Sequence, residues 1–184
     1  MGDRPMTRVI LVRHCESEAN RAGPEGSGSN SPLSARGREQ AEAVHAAFSG
    51  LCLGEAVLIS SPLTRAAKTA EAIGRALGAD IEFDARLGAG EIQAGRFDLD
   101  DPATLPIVGA EVLEALCERI EGGEVLIMVS HRYPIWSLLT RLYGNRGTEL
   151  MDELNNLGNG DRLEFTLEGG AVQGEPLHRP LYPA

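Results

Sequence analysis

The chain has 184 residues, 42% hydrophobic and 24% charged, the composition of an ordinary globular protein, and its length is that of one domain, residues 1–184. A net charge of −10, with no cluster of Lys and Arg interleaved with aromatics, argues against nucleic acid as a partner, and any site for an anion must be locally basic against that background. Cys15, Cys52 and Cys117 are widely spaced and form no C-x-x-C pair, and MGDRPMTR leads into the chain without an apolar segment of leader or membrane length; the expectation is a cytoplasmic protein with no membrane partner.

The first element is the apolar run Val9 to Val12, which reads as a strand buried on both faces and stops at Arg13 and His14. In open α/β sheets ligands bind at the carboxyl ends of strands, where a histidine can serve as nucleophile, base or metal ligand. Arg21 to Pro32, rich in Gly, Ser and Pro, reads as a loop. Ser34 is a candidate N-cap for a helix carried by Ala41, Val44, Ala47 and Phe48 up to Gly50. Ala56 to Ile59 is a second buried strand. Ser61 as N-cap and Pro62 as first helical residue predict a helix running to Leu77 and stopping at Gly78, with Arg65 in its first turn.

Ile81 to Phe83 reads as a short third strand, and Gly88 to Asp101 has no clean period. Val112, Leu113, Leu116, Cys117 and Ile120 mark an amphipathic helix that places Cys117 in the core. Val125 to Val129 is the next strand and stops at Ser130-His131, a second histidine on a strand end; Pro134 then opens a helix to Tyr143. Leu163 to Leu167 and Ala171 to Gln173, joined by Gly169-Gly170, predict an edge hairpin, followed by a draped tail from Pro176. Alternating strands and helices predict a three-layer α/β/α sandwich with a mostly parallel central sheet and an antiparallel edge hairpin.

That architecture gathers Arg13, His14, Arg65 and His131 at one sheet edge beside a helix N-terminus, a trap for a dianion such as phosphate. Phosphoryl transfer through a covalent intermediate needs a nucleophile, cations for the phosphoryl oxygens and an acid for the leaving oxygen. A neutral imidazole attacks without a separate base once its other nitrogen is fixed, which makes His14 the candidate nucleophile. Arg13 and Arg65 suit the oxygens and Glu91 is the candidate acid, with Asp98, Asp100 and Asp101 as alternatives.

LVRHCESEAN, PLSARGREQA, SSPLTRAAKTA, EIQAGRF and VSHRYPI, in that order, resemble the signature stretches of the histidine phosphatase superfamily, the phosphoglycerate-mutase-like fold, over residues 9 to about 140. The resemblance implies His14 as phosphohistidine nucleophile, Arg13, Asn20, Arg65 and His131 as the phosphate pocket, Glu91 as proton donor, a small phosphate ester as substrate, and neither metal nor other cofactor. Two positions depart from the family pattern. Cys15 and Arg132 each stand where a glycine is usual, and both are expected to shape or touch the substrate pocket, Arg132 favouring substrates with a second anionic group.

Four other readings compete with a phosphatase. Cys15 and Arg21 satisfy C-x5-R, the nucleophile loop of cysteine-dependent phosphatases, but Glu16 and Glu18 would point negative charge into that loop. A mutase shares the phosphohistidine and differs in shielding it from water; here only about twenty residues separate Glu91 from the helix around Val112, too few for a large lid. A non-catalytic domain binding a phosphorylated ligand or protein is the third. A metal site from His14, His131 and Glu91 ranks last, lacking an i, i+4 His pair.

Overall fold

The computed structural model describes residues 6–22, 30–88, 104–119, 124–153 and 157–182. Its centre is a six-stranded mixed sheet built from β1 (Met6–Arg13), β2 (Ala56–Ser60), β3 (Ile81–Phe83), β4 (Val125–Ser130), β5 (Arg162–Glu168) and β6 (Ala171–Arg179), in the order β3-β2-β4-β1-β5-β6. The first four are mutually parallel, and β5 and β6 extend the sheet antiparallel beyond β1.

The apolar runs of β1, β2 and β4 are buried on both faces because helices cover both. On one face Ile10, Val12, Leu58, Ile127 and Val129 meet α2 (Ala35–Ser49) and α3 (Thr64–Leu77) through Val44, Phe48, Ala70 and Ile73. On the other, Val9, Leu11, Leu126 and Met128 meet α4 (Thr104–Cys117) and α5 (Arg132–Tyr143) through Val112, Leu116, Ile135 and Leu139. The connections leaving β1 and β4 therefore go to opposite faces, which opens a crevice at the carboxyl ends of these neighbours.

Several expectations need correction. The helix holding Arg65 begins at Thr64, with Leu63 as N-cap; Ser61 Oγ accepts from the Leu63 N–H at 3.3 Å, ahead of the helix, and the Thr64 N–H is met by Asn30 Oδ1 at 2.7 Å. Cys117 is exposed on the last turn of α4 and does not join the core. The tail expected from Pro176 is instead the second half of β6, which runs to Arg179; a register irregularity between Glu164 and Thr166 admits Gly174 to Pro176 on this edge strand, where a proline breaks no interior ladder. A short helix α1 (Glu18–Ala22) precedes residue 23, and α6 (Asn145–Glu153) follows α5, neither foreseen.

Gly37 shows what a close approach demands. Ser34 caps α2 by accepting from the Gly37 N–H at 2.9 Å, as expected, and the first turn then lies directly on the turn after β1: a Cβ at residue 37 would run into the carbonyl oxygen of Glu16. Alanine gains up to about 1 kcal/mol of helix propensity over glycine, but forcing backbone apart in a packed core costs about 1–3 kcal/mol. Gly37→Ala is therefore expected to be net destabilising despite its helical position, read as a lower urea midpoint at unchanged slope; an unchanged or higher midpoint would contradict the packing.

Candidate active site

Sheet register builds the site. Parallel pairing sets Arg13 opposite Ser130, so the next residue on each strand, His14 and His131, emerges side by side, with ring centroids 4.9 Å apart. On the far side of β4, Ser60 pairs with Val129, and β2 delivers Ser61 and the first turn of α3 with Arg65 to the same edge. Three adjacent strands thus supply four of the expected residues.

His14 is 3% exposed. Its Nδ1 lies 2.7 Å from the carbonyl oxygen of Cys15, an acceptor only, so Nδ1 carries the proton and donates it. Nε2 then holds the lone pair, and it receives a hydrogen bond from Arg65 Nε at 3.3 Å. Burial lowers the His14 pKa to about 3, aided by the positive charges of Arg65 and Arg13 and only partly opposed by the Cys15 bond. The imidazole is neutral at any ordinary pH. His131, fully buried, is also held well below the usual histidine range, by burial first and then by His14, Arg65 and Arg13. Its Nε2 lies 2.9 Å from Ser61 Oγ, and its Nδ1 has no hydrogen-bond partner among the described residues.

The turn that presents His14 is fully tied down. The His14 N–H donates to Ser130 O at 2.9 Å and its carbonyl accepts from Asn159 Nδ2 at 2.9 Å. The Cys15 N–H donates to Thr69 Oγ1 at 3.0 Å and its carbonyl takes the His14 ring proton. The Glu16 N–H donates to Gln40 Oε1 at 2.7 Å and its carbonyl accepts from the Ser34 N–H at 3.0 Å. Every backbone donor and acceptor from residue 14 to 16 is therefore paired, and the partners come from β4, α2, α3 and the turn before β5. Thr69 also donates to Arg65 O at 2.8 Å, joining the turn that holds Arg65 to the turn that holds His14.

The expected residues fall into distinct positions. Arg13, His14, Arg65 and His131 converge, and Arg13 Nη1 donates to the carbonyl oxygen of Leu157. Asn20 lies exposed on α1; its Oδ1 accepts from Ser17 N and Ser17 Oγ, both at 3.0 Å, and from Asn159 Nδ2 at 3.3 Å. Arg132 is exposed at the first residue of α5, one position from His131.

Cys15 is a correction: its side chain is wholly buried in the core cluster that includes Leu33, Ala41 and Ala66, so it is not placed to touch a substrate. Burial raises its thiol pKa to about 11, which leaves it protonated and a poor nucleophile. Glu91, Asp98, Asp100 and Asp101 lie outside the described residues. The chain leading to them is fixed beside the site, since Ser130 Oγ donates to the carbonyl oxygen of Leu87 in the 3-10 turn Ala85–Gly88. No group of three His, Cys, Asp or Glu side chains is gathered in metal-binding geometry among the described residues.

Sequence reasoning missed Ser61 as a partner of His131, Thr69 as a staple, and Asn159. Thr69 carried a signal, lying four residues after Arg65 and hence one helical turn away on the same face. Asn159 carried none, because its contact with His14 spans 145 positions of chain.

The histidine phosphatase superfamily model (branch 1) matches residues 9–104, just over half of the chain. The chain belongs to that superfamily. Probable phosphoglycerate mutase GpmB of Salmonella paratyphi C is 44% identical over 82 residues, 45% of this chain, and the match spans only 37% of that relative's length. The protein of the same name from Salmonella paratyphi A is 44% identical with 76% of each chain covered. Among solved structures, phosphoserine phosphatase from Entamoeba histolytica, in complex with phosphoserine, superposes with a TM-score of 0.68 at 22% identity over 95% of both chains, a likeness of fold.

The burial of two neutral histidines of this superfamily fold has a pH signature. Unfolded, His14 takes up a proton near pH 6.5; folded, only near 3, so acid favours the unfolded chain between those values. Stability is expected to fall as pH drops below about 6.5, well before carboxylates begin to titrate near about 4. His14→Asn should reduce that slope in urea titrations, leaving the share that His131 contributes. Equal slopes for variant and wild type would contradict a buried neutral His14.

Proposed function

We propose that this protein is a phosphomonoesterase that hydrolyses a small phosphorylated metabolite through a phosphohistidine on His14, without a metal or other cofactor. One observation carries the reading: His14 Nδ1 donates to the Cys15 carbonyl at 2.7 Å, which leaves the lone pair on Nε2, where it accepts from Arg65 Nε at 3.3 Å. In the first step Nε2 attacks phosphorus and the ester P–O bond breaks. Arg13, Arg65, Asn20 and His131 hold the phosphoryl oxygens, and the leaving oxygen takes a proton from an acid, the role assigned to Glu91. In the second step water attacks phosphorus, gives its proton to that carboxylate, and the N–P bond breaks. Phosphate leaves and Nε2 regains its lone pair.

Arg132, at the mouth of α5 beside His131, is assigned to a second anionic group on the leaving portion of the substrate, as its exposed position and fixed charge suit. Support for water as acceptor is a length of sequence: only fifteen positions, residues 89–103, separate the 3-10 turn from α4, little for a lid that excludes solvent. A mutase is the second reading, favoured by the names of the relatives at 44% identity. It requires the phosphoryl group to pass to an alcohol.

The test is phosphate release from a panel of phosphomonoesters with chelator present. Activity is expected to persist in EDTA, to fall at least about 10³-fold in His14→Ala, and to stay within about threefold, under 1 kcal/mol, in Cys15→Ser. Loss of activity in EDTA would favour the metal reading, and a dead Cys15→Ser with an active His14→Ala would favour the cysteine loop. Phosphoryl transfer to an added alcohol with no release of phosphate would favour the mutase.

A further inference from the structure

The hydroxyl of Ser61 has one proton to place, and the bonds around it decide where it goes. Ser61 is fully buried. Its Oγ accepts from the Leu63 N–H at 3.3 Å and lies 2.9 Å from His131 Nε2; no other partner of this oxygen is present among the described residues. Two proton arrangements are possible for the neutral imidazole. If Nε2 carried the proton and donated to Oγ, the serine proton would meet no acceptor among the described residues, and Nδ1 would present a bare lone pair. If Ser61 donates to Nε2, the serine is satisfied as donor and acceptor together and the imidazole proton sits on Nδ1.

Either arrangement leaves one buried proton without an acceptor among the described residues, but the first also leaves the Nδ1 lone pair unmet, so the second is favoured. A ligand selects the same way. Nδ1 is buried and has no partner among the described residues, and the site around it holds Arg13 and Arg65, which call for an anion. An anion bonds to an N–H and is repelled by a lone pair.

We infer that Ser61 is a positioning residue that fixes His131 as its Nδ1–H tautomer, so that Nδ1 donates to an oxygen of the bound phosphoryl group. The inference rests on the phosphatase reading for what the group is, and not for the tautomer itself. It gives Ser61 two tasks at once: its oxygen accepts from the N–H of Leu63, the N-cap residue, while its proton serves the histidine.

The decisive experiment is nitrogen-15 NMR of the His131 ring, with inorganic phosphate as the only ligand, together with calorimetric titration of phosphate. The resting wild type is expected to show a protonated Nδ1 and an unprotonated Nε2. Ser61→Ala should lose that preference and bind phosphate about tenfold more weakly, the order of loss known for partners that orient metal-bound histidines. Ser61→Thr, which keeps the hydroxyl, should restore both.

A wild-type ring protonated at Nε2 would overturn the proposal. So would a Ser61→Ala ring with an unchanged tautomer. If Ser61→Ala does not fold, the wild-type tautomer and Ser61→Thr decide. None of these readings involves turnover of an ester, so the failure of catalysis by His14 would be seen separately, in the release assay.

Discussion

The hydrogen bond from His14 Nδ1 to the carbonyl oxygen of Cys15 is the contact on which the chemistry of the site depends. It commits a neutral ring to one tautomer and leaves the lone pair on Nε2, beside Arg65. The same surroundings keep the ring neutral: burial disfavours imidazolium, and the charges of Arg13 and Arg65 oppose it further. Those two cations therefore have a double effect. In the proposed reaction they repel a proton from His14 and attract a dianion to it, so the attack needs no general base.

Such a ring is useful only if the backbone under it does not move. All six backbone donors and acceptors of His14, Cys15 and Glu16 are paired, with partners drawn from β4, α2, α3 and the turn before β5. Letters of the sequence motifs acquire physical meanings here. Gly37 allows α2 to lie against Glu16, Gln40 accepts from its N–H, and Thr69 joins the Cys15 amide to the carbonyl of Arg65. The sheet adds the remaining precision, because parallel register makes His14 and His131 successors of paired residues.

How much of this could be read from the chain varied with the range of the interaction. Val9 to Val12 and Val125 to Val129 announce buried strands through composition, and the polar residues that end them announce the site edge. The short-range error at Ser61 came from a real ambiguity, since a serine before Pro62 is a good cap and also a good partner for an imidazole. Cys117 lies where helical spacing pointed inward, but it sits on the last turn of α4, at the margin of what the helix covers. Helix α6 is sparse in apolar residues, so no stripe announces it, and Gly147 within it lowers helix propensity. That glycine is needed because a Cβ there would meet the carbonyl oxygen of Leu139 on α5. Pro176 argued for an end to the hairpin, and only the edge position of β6 makes it harmless. Asn159 could not be read at all, because its role exists only once distant segments meet.

The central claim, that the tautomer set by Cys15 makes Nε2 the attacking atom, is tested most directly by the isomer of the phosphorylated histidine. Rapid acid-free quenching of the protein with a phosphomonoester, peptide mapping and phosphorus-31 NMR identify both the residue and the ring nitrogen carrying phosphate. The account predicts transient phosphate on His14 alone, bonded to Nε2. Phosphate on Nδ1, on another residue, or absent throughout steady turnover would contradict it.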